Sequence, residues 1–238
     1  MLKQGIRQLT AVTLLFLCLS GIVKGKSTDK DEVEQALRAI GSGPAEELKS
    51  RIFTGNITVF NAEFRAQAIK DLPAARGDHR VTQGKLLRRV DMVFQRVLLL
   101  HGRSSKVELF MFQHDVPLVQ LWRGCVLMIT DCLAEPLYDS ELAGMISHEL
   151  GHSYFEAETA GAQRSQDTRT MRLVELKCDA VAIVSLKLLG LNPAHYLNGL
   201  QRIQALNRRK SRSSGTLESH PELFTRAQFS DRLIKSLR

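Results

Sequence analysis

The chain has 238 residues, of which 44% are hydrophobic, and its formal net charge is +8. This length and apolar content are enough to bury a sizeable core in one domain. The positive charge comes with no nucleic-acid-binding motif, so we do not expect a nucleic-acid partner. The basic run at residues 208–212 is typical of a solvated loop, with peripheral contact to an anionic membrane surface as the alternative.

Residues 1–25 have the composition of a secretory signal peptide. Lys3 and Arg7 precede an apolar stretch at residues 11–23, which is short for a membrane-spanning helix. We therefore expect an exported protein, either periplasmic or secreted. An uncleaved N-terminal membrane anchor is the alternative.

Residues 26–83 predict an N-terminal helical arm. Short helices are expected at 29–40, 45–53 and 60–72, because glycine and proline separate apolar-periodic stretches there, and a loop is expected at 74–83. Such an arm would either pack on the remainder of the chain or regulate access to it. Both alternatives fit the pattern.

Residues 84–238 predict the main domain of a mainly helical α+β protein. Apolar residues recur at helical spacing over 84–101, and residues 107–112 are typical of a strand. Strands at 118–122 and 126–130, separated by Arg123 and Gly124, predict a hairpin. We expect these strands to form a small antiparallel sheet beside the following helix.

That following helix, predicted at residues 139–155, contains the motif His148-Glu149-Leu150-Gly151-His152. Side chains four residues apart leave a helix on the same face, so both imidazoles can bind one zinc ion. Glu149 lies beside them and can accept a proton from a water molecule at the metal. The alternative is a surface helix that carries two histidines by chance.

A second helix, predicted at residues 170–189, is apolar almost all round and is therefore expected to be buried. It nevertheless contains Glu175 and Asp179, four residues apart on one face. Because buried carboxylates without partners are costly, we expect a cation beside them. Glu175 is the predicted third zinc ligand, and Asp179 is predicted to orient a ligand histidine. A salt bridge to Lys177 or Arg172 is the alternative.

The polar connector between these helices predicts a loop at residues 156–170 near the metal, either a lid or a plain connection. A further helix is expected at 192–206.

Three cysteines follow the signal segment, and Cys125 and Cys132 are interpreted as small buried side chains in preference to a disulfide. Cys178 is not expected to bind zinc, because its helical phase favours a packing role.

The motifs H-E-L-G-H and E-L-K-C-D together resemble zinc endopeptidases related to the bacterial heat-shock protease HtpX and the eukaryotic CAAX prenyl protease. These belong to the gluzincin group, whose pattern is H-E-x-x-H followed by E-x-x-x-D. Residues 124–130 and 140–147 are similar to the family's edge strand and to its lead into the active helix. Residues 219–221 with Arg226 are similar to its H-P-x-x-x-x-R element. The resemblance implies a gluzincin-type core.

The resemblance also implies further site residues. His220 and Arg226 would face the zinc and stabilise the oxyanion of the tetrahedral intermediate, although Ser219 and Glu222 could equally form a helix cap. An exposed strand beside the active helix would bind an extended polypeptide by main-chain hydrogen bonds. The strand at 119–124 or its partner is the predicted edge, with these residues in contact with substrate: Val119, Leu121, Trp122 and Gly124. For Trp122, packing in the core is the alternative.

These predictions combine into a zinc metalloendopeptidase with one zinc ion per chain. By family analogy, its substrates would be unfolded or damaged proteins of the cell envelope. The first alternative is a catalytically quiet zinc-binding chaperone or assembly factor that uses the same groove. The second is a zinc hydrolase that acts on non-peptide amides.

Overall fold

The computed structural model describes residues 29–54, 60–72, 79–210 and 221–237. The predicted signal segment and His220 lie outside these ranges. Three strands and ten helices are present in the described part of the chain. The strands are β1 (Glu108–Phe112), β2 (Val119–Trp122) and β3 (Val126–Thr130). The helices are α1 (Asp29–Ile40), α2 (Ala45–Ile52), α3 (Ala62–Lys70), α4 (Lys85–Leu100), α5 (Asp131–Ala134), α6 (Asp139–His152), α7 (Glu156–Ser165), α8 (Thr168–Leu188), α9 (Ala194–Lys210) and α10 (Leu223–Ser236).

Helices α6 and α8 form the centre of the fold. Helix α8 is buried along most of its length, as its continuous apolar pattern predicts. The two helices approach closely where Gly151 faces Cys178, because a Cβ atom on Gly151 would lie 3.1 Å from the Cys178 Cα. Nearer the start of α6, Gly144 leaves room in the same way for the ring of Tyr196. The glycine within the H-E-L-G-H motif therefore sets the spacing of these two helices.

The sheet is mixed, and the prediction of a purely antiparallel sheet is wrong. Its strand order is β1-β3-β2, with β3 parallel to β1 and antiparallel to β2. The predicted hairpin of β2 and β3 is present, but β1 adds to β3 from the other side. Residues that alternate along the strands face two separate clusters, one against the main core and one against α3. Strand β2 lies at an edge of this sheet.

The predicted helices of the N-terminal arm are present, and α1 and α2 pack into the main core. Val33, Ile40 and Leu48 are buried within the same apolar cluster as α6 and α8. Glu32, also buried, accepts a hydrogen bond from Arg172 Nε of α8 at 2.9 Å. The arm therefore supports the helix that carries Glu175, while regulation of access by the arm stays a prediction.

The prediction of a loop at residues 156–170 is wrong, because most of this segment forms helix α7. Its alanine, glutamate and glutamine residues have high helix propensity, and its polar character reflects exposure to solvent. Helix α7 ends at Ser165, and the following Gln166 adopts a left-handed conformation with φ of 56°. Lys177 of α8 binds Glu158 of α7 across a 2.5 Å ion pair. Within the described ranges, no helix is both long and apolar enough to cross a lipid bilayer.

Candidate metal centre

The structure brings together the three side chains predicted to hold a metal ion. Glu175 Oε2 lies 3.4 Å from His148 Nε2, and Glu175 Oε1 lies 3.7 Å from His152 Nε2. One ligand atom from each residue lies within 4.8 Å of the other two. Helix α6 supplies both imidazoles from one face, and α8 places the carboxylate opposite them. His148 and Glu175 are buried, whereas His152 is 30% exposed and opens the cluster to solvent.

This donor set fits a zinc ion. In a tetrahedral site with zinc–ligand bonds of about 2.0–2.1 Å, neighbouring ligand atoms lie about 3.3 Å apart. Each histidine Nε2 lies near that distance from a different carboxylate oxygen of Glu175, so a small rotation of the carboxylate would bring one oxygen towards both. Burial opposes protonation of His148, but hydrogen bonds to the Asp179 and Glu175 carboxylates outweigh this and raise its pKa to about 9. The surroundings therefore favour positive charge at this position, which a divalent ion would supply.

Behind His148, on the side away from Glu175, lies a buried polar network. Asp179 Oδ1 is 3.0 Å from His148 Nδ1, as expected for a carboxylate that orients a ligand histidine. Arg226 donates to both carboxylate oxygens of Asp179, at 2.5 and 2.9 Å. Although burial opposes ionisation of Asp179, the adjacent Arg226 and His148 hold its pKa below the usual value. Asp179 therefore remains an anion inside the protein.

Tyr196 of α9 completes this network and was missed by the sequence analysis. Its hydroxyl lies 2.8 Å from His148 Nδ1 and 2.5 Å from Asp179 Oδ1. One signal was available in the sequence: a tyrosine on the inward face of a helix needs a hydrogen-bond partner when it is buried. The identity of that partner depends on how α9 crosses α6.

Arg226 does not occupy the position expected from the family resemblance. Its Nη2 lies 3.5 Å from His148 Nδ1, the ring nitrogen opposite the one that faces Glu175. The guanidinium donates hydrogen bonds to Asp179 and Tyr196, so this position does not support direct contact with a substrate oxyanion. Arg226 instead stabilises the carboxylate behind the ligand histidine. The predicted role of His220 concerns a residue outside the described ranges.

Glu149 lies between the metal cluster and the edge of the sheet. It is half-buried, and its Oε2 accepts a hydrogen bond from the Leu121 backbone N–H at 3.1 Å. Leu118 and Trp122 accept backbone hydrogen bonds from the β3 side, so the intervening Leu121 directs its N–H away from β3. In the described part of the chain no strand pairs with the outer side of β2, and this free edge runs beside the predicted general base, which occupies the Leu121 N–H.

The four predicted substrate contacts are divided between the two sides of the sheet. Val119 and Leu121 pack against the main core beside α6. The Trp122 indole N–H donates to the Ala68 carbonyl at 3.0 Å, on the α3 face of the sheet, so its placement in the groove is wrong and the core alternative holds. Gly124 faces Phe60 on that same side, where a Cβ atom would lie 3.0 Å from the ring.

The cysteines described by the structure are free thiols, and none lies in the ligand cluster. Cys125 and Cys178 are buried, and Cys132 is half-buried. The sulfur of Cys178 lies 3.5 Å from His152 Nδ1, away from the Nε2 atom that faces Glu175. Burial raises the pKa of the Cys178 thiol well above its usual value, so it stays protonated. This position agrees with packing against Gly151 rather than zinc binding.

No family model matches the chain, and a search of curated proteins found no match.

Proposed function

We propose that this protein is a zinc-dependent metalloendopeptidase. The observation that supports the proposal best is the convergence of His148, His152 and Glu175, with Glu149 beside them at the free edge of β2. A purely structural zinc site is normally closed by four protein ligands. Among the residues that the structure describes, three ligands form the cluster, and the carboxylate of Glu149 lies next to it, which favours catalysis.

In this proposal each residue has a defined task. Zinc, when bound, polarises the scissile carbonyl and makes water more acidic. His148, His152 and Glu175 hold the ion, while Asp179 fixes the orientation of His148. Glu149 accepts the proton from the attacking water and then delivers it to the nitrogen of the leaving amine.

The substrate class follows from the edge strand. A peptide added beside β2 would form main-chain hydrogen bonds and would lie along Glu149. Recognition through the main chain tolerates many side chains but requires an extended polypeptide. Unfolded proteins meet this requirement, in agreement with the envelope quality-control role that the family resemblance suggests. The export signal proposed at residues 1–25 would deliver the enzyme to that compartment.

The test is the substitution Glu149→Gln, which keeps the size of the side chain and removes its basicity. We expect the variant to bind zinc like the wild type but to lose cleavage of unfolded casein by about 100-fold or more, as removal of a general base does. Exposed Glu156, just beyond α6, provides the matched control Glu156→Gln, which should keep both properties.

Cleavage of casein by pure Glu149→Gln at the wild-type rate would contradict the proposal. A wild-type protein that binds zinc and suppresses casein aggregation without cleaving it would favour the chaperone alternative. In that case the edge of β2 would bind extended chains without hydrolysis.

A further inference from the structure

Tyr196 lies at the centre of the network behind His148, although its helix supplies no ligand to the metal cluster. The residue is fully buried, and its ring stacks on the His148 imidazole with centroids 6.0 Å apart. Glycine at residue 144 lets the ring lie close to α6, since a Cβ there would make a tight contact of 3.1 Å with Tyr196 Cδ2. The phenol hydroxyl therefore has a constrained position between three polar side chains.

The donors and acceptors around this hydroxyl permit one consistent arrangement. Arg226 Nη2, which can only donate, lies 2.6 Å from the phenol oxygen. The ionised Asp179 can only accept, so the single phenol proton belongs in the 2.5 Å contact with Asp179 Oδ1. The Nδ1 atom of His148 must then carry a proton of its own, which it shares with the Asp179 and Tyr196 oxygens at 3.0 and 2.8 Å.

The opposite assignment fails on the same distances. If the phenol donated its proton to Nδ1, the oxygen of Tyr196 would face Asp179 Oδ1 at 2.5 Å with no hydrogen between them. The Nδ1 lone pair would also face Asp179 at 3.0 Å. Both contacts would be repulsive in a buried site of low dielectric. The protonated form of Nδ1 therefore belongs to this geometry.

We propose that Tyr196 is a positioning residue of the metal centre, whose phenol acts with Asp179 to keep a proton on His148 Nδ1 and to fix the ring plane. The Nε2 atom of His148 is then left to bind the metal beside Glu175 and His152. This inference rests on the proposed zinc site, and it extends the set of supporting residues to α9. Metal affinity is thereby linked to the packing of α9 against α6.

The experiment compares zinc affinity in the full chain for the wild type, Tyr196→Phe and Tyr154→Phe. Phenylalanine keeps the aromatic ring in the space beside Gly144, so Tyr196→Phe is expected to fold, as near-UV circular dichroism of the metal-free protein would verify. Tyr154→Phe is a matched control, because Tyr154 makes the same hydroxyl contact to a histidine Nδ1, at 2.9 Å from His101.

Competition with a chromophoric chelator should show zinc binding weakened about 10- to 100-fold in Tyr196→Phe, the usual effect of losing a partner of a ligand histidine. The absorption spectrum of the cobalt-substituted variant should also change, since the His148 ring loses one restraint. Tyr154→Phe should bind zinc within about threefold of wild type, because its partner is no metal ligand.

Equal zinc affinity and equal cobalt spectra in wild type and Tyr196→Phe would overturn the inference and leave the zinc site intact. A wild type that binds no zinc would overturn both the inference and the proposed function. Weakened zinc binding in Tyr196→Phe, in a protein that cleaves no peptide, would support the inference and count against the proteolytic function.

Discussion

Two buried centres in this protein contain the same three residue types but shift the pKa of their histidines in opposite directions. One joins His148, Tyr196 and Arg226, and the other joins His101, Tyr154 and Arg103. In each centre the tyrosine hydroxyl lies within 3 Å of a histidine Nδ1. The pKa of His148 is raised to about 9, whereas that of His101 is lowered to about 3.

The difference in pKa comes from the carboxylates of Asp179 and Glu175, which form hydrogen bonds with His148. Burial lowers the pKa of His101, and the positive charges of Arg103 and Lys49 lower it further. Ser185 donates its hydroxyl proton to the Val181 carbonyl, so it accepts from His101 Nε2. Tyr154 must then donate to His101 Nδ1.

Near His148, Asp179 takes the proton of Tyr196, and Nδ1 becomes a donor. The Nε2 atom of His148 can consequently bind a metal, whereas both nitrogens of His101 are used within the core. The presence of Asp179 beside His148 therefore distinguishes this candidate metal ligand from the structural histidine His101.

Removing that carboxylate should have the largest effect. Asp179→Asn leaves Arg226 buried without its anionic partner, so we expect the free energy of unfolding of the metal-free protein to fall by about 3–5 kcal/mol. The double variant Asp179→Asn with Arg226→Met should recover part of this loss, because it buries no unpaired charge. Urea denaturation of the three proteins measures both effects.

Glu34→Gln is the control, since it breaks the partly exposed ion pair of Glu34 with Arg232 on the same helix as Arg226. It should leave the free energy of unfolding close to the wild-type value, because solvent screens an exposed ion pair. An Asp179→Asn protein as stable as this control would show that the buried network contributes little.

Acid should affect the His101 centre next. The folded pKa of about 3 lies below the ordinary value of 6.5, so the neutral form of His101 stabilises the fold above pH 6.5. This stabilisation is lost as the pH falls from 6.5 towards 3, by about 3 kcal/mol between pH 7 and pH 4. The His101→Gln variant should lack this part of the pH dependence, as urea denaturation at several pH values would show. Parallel pH profiles of the two proteins would contradict the assignment.

A change in the distance between α6 and α8 near His148 should have a smaller effect on stability. Gly151→Ala places a methyl group 3.1 Å from the Cys178 Cα, so we expect a loss of about 1–3 kcal/mol and weaker zinc binding as α6 and α8 separate. Gly161→Ala in α7 is the control, because nothing lies within 4 Å of its added Cβ. It should raise stability by about 0.5–1 kcal/mol and leave zinc affinity unchanged. Unchanged zinc affinity in Gly151→Ala would show that this close contact does not set the ligand geometry.

The chain's local patterns predicted most of its helices and strands. They failed for an exposed helix that has no periodic apolar residues. Helix α8 was predictable because an almost continuous apolar run has few other solutions. Helix α7 was interpreted as a loop because its sequence has no apolar stripe, although its helix propensity is high. Period-two alternation places Leu121 and Trp122 on opposite faces of β2, but it does not say which face meets α6.

By itself, the sequence determined two pairs of candidate site residues, because a spacing of four residues along a helix places His148 with His152, and Glu175 with Asp179. The packing of α6 against α8 decided that the two pairs meet. Only the tertiary structure decided what stands behind those ligands. Tyr196 and Arg226 lie 17 and 47 residues from Asp179 in the chain and meet it only through the packing of α9 and α10. Local spacing follows from helix geometry, whereas such long-range contacts depend on which buried faces pack together.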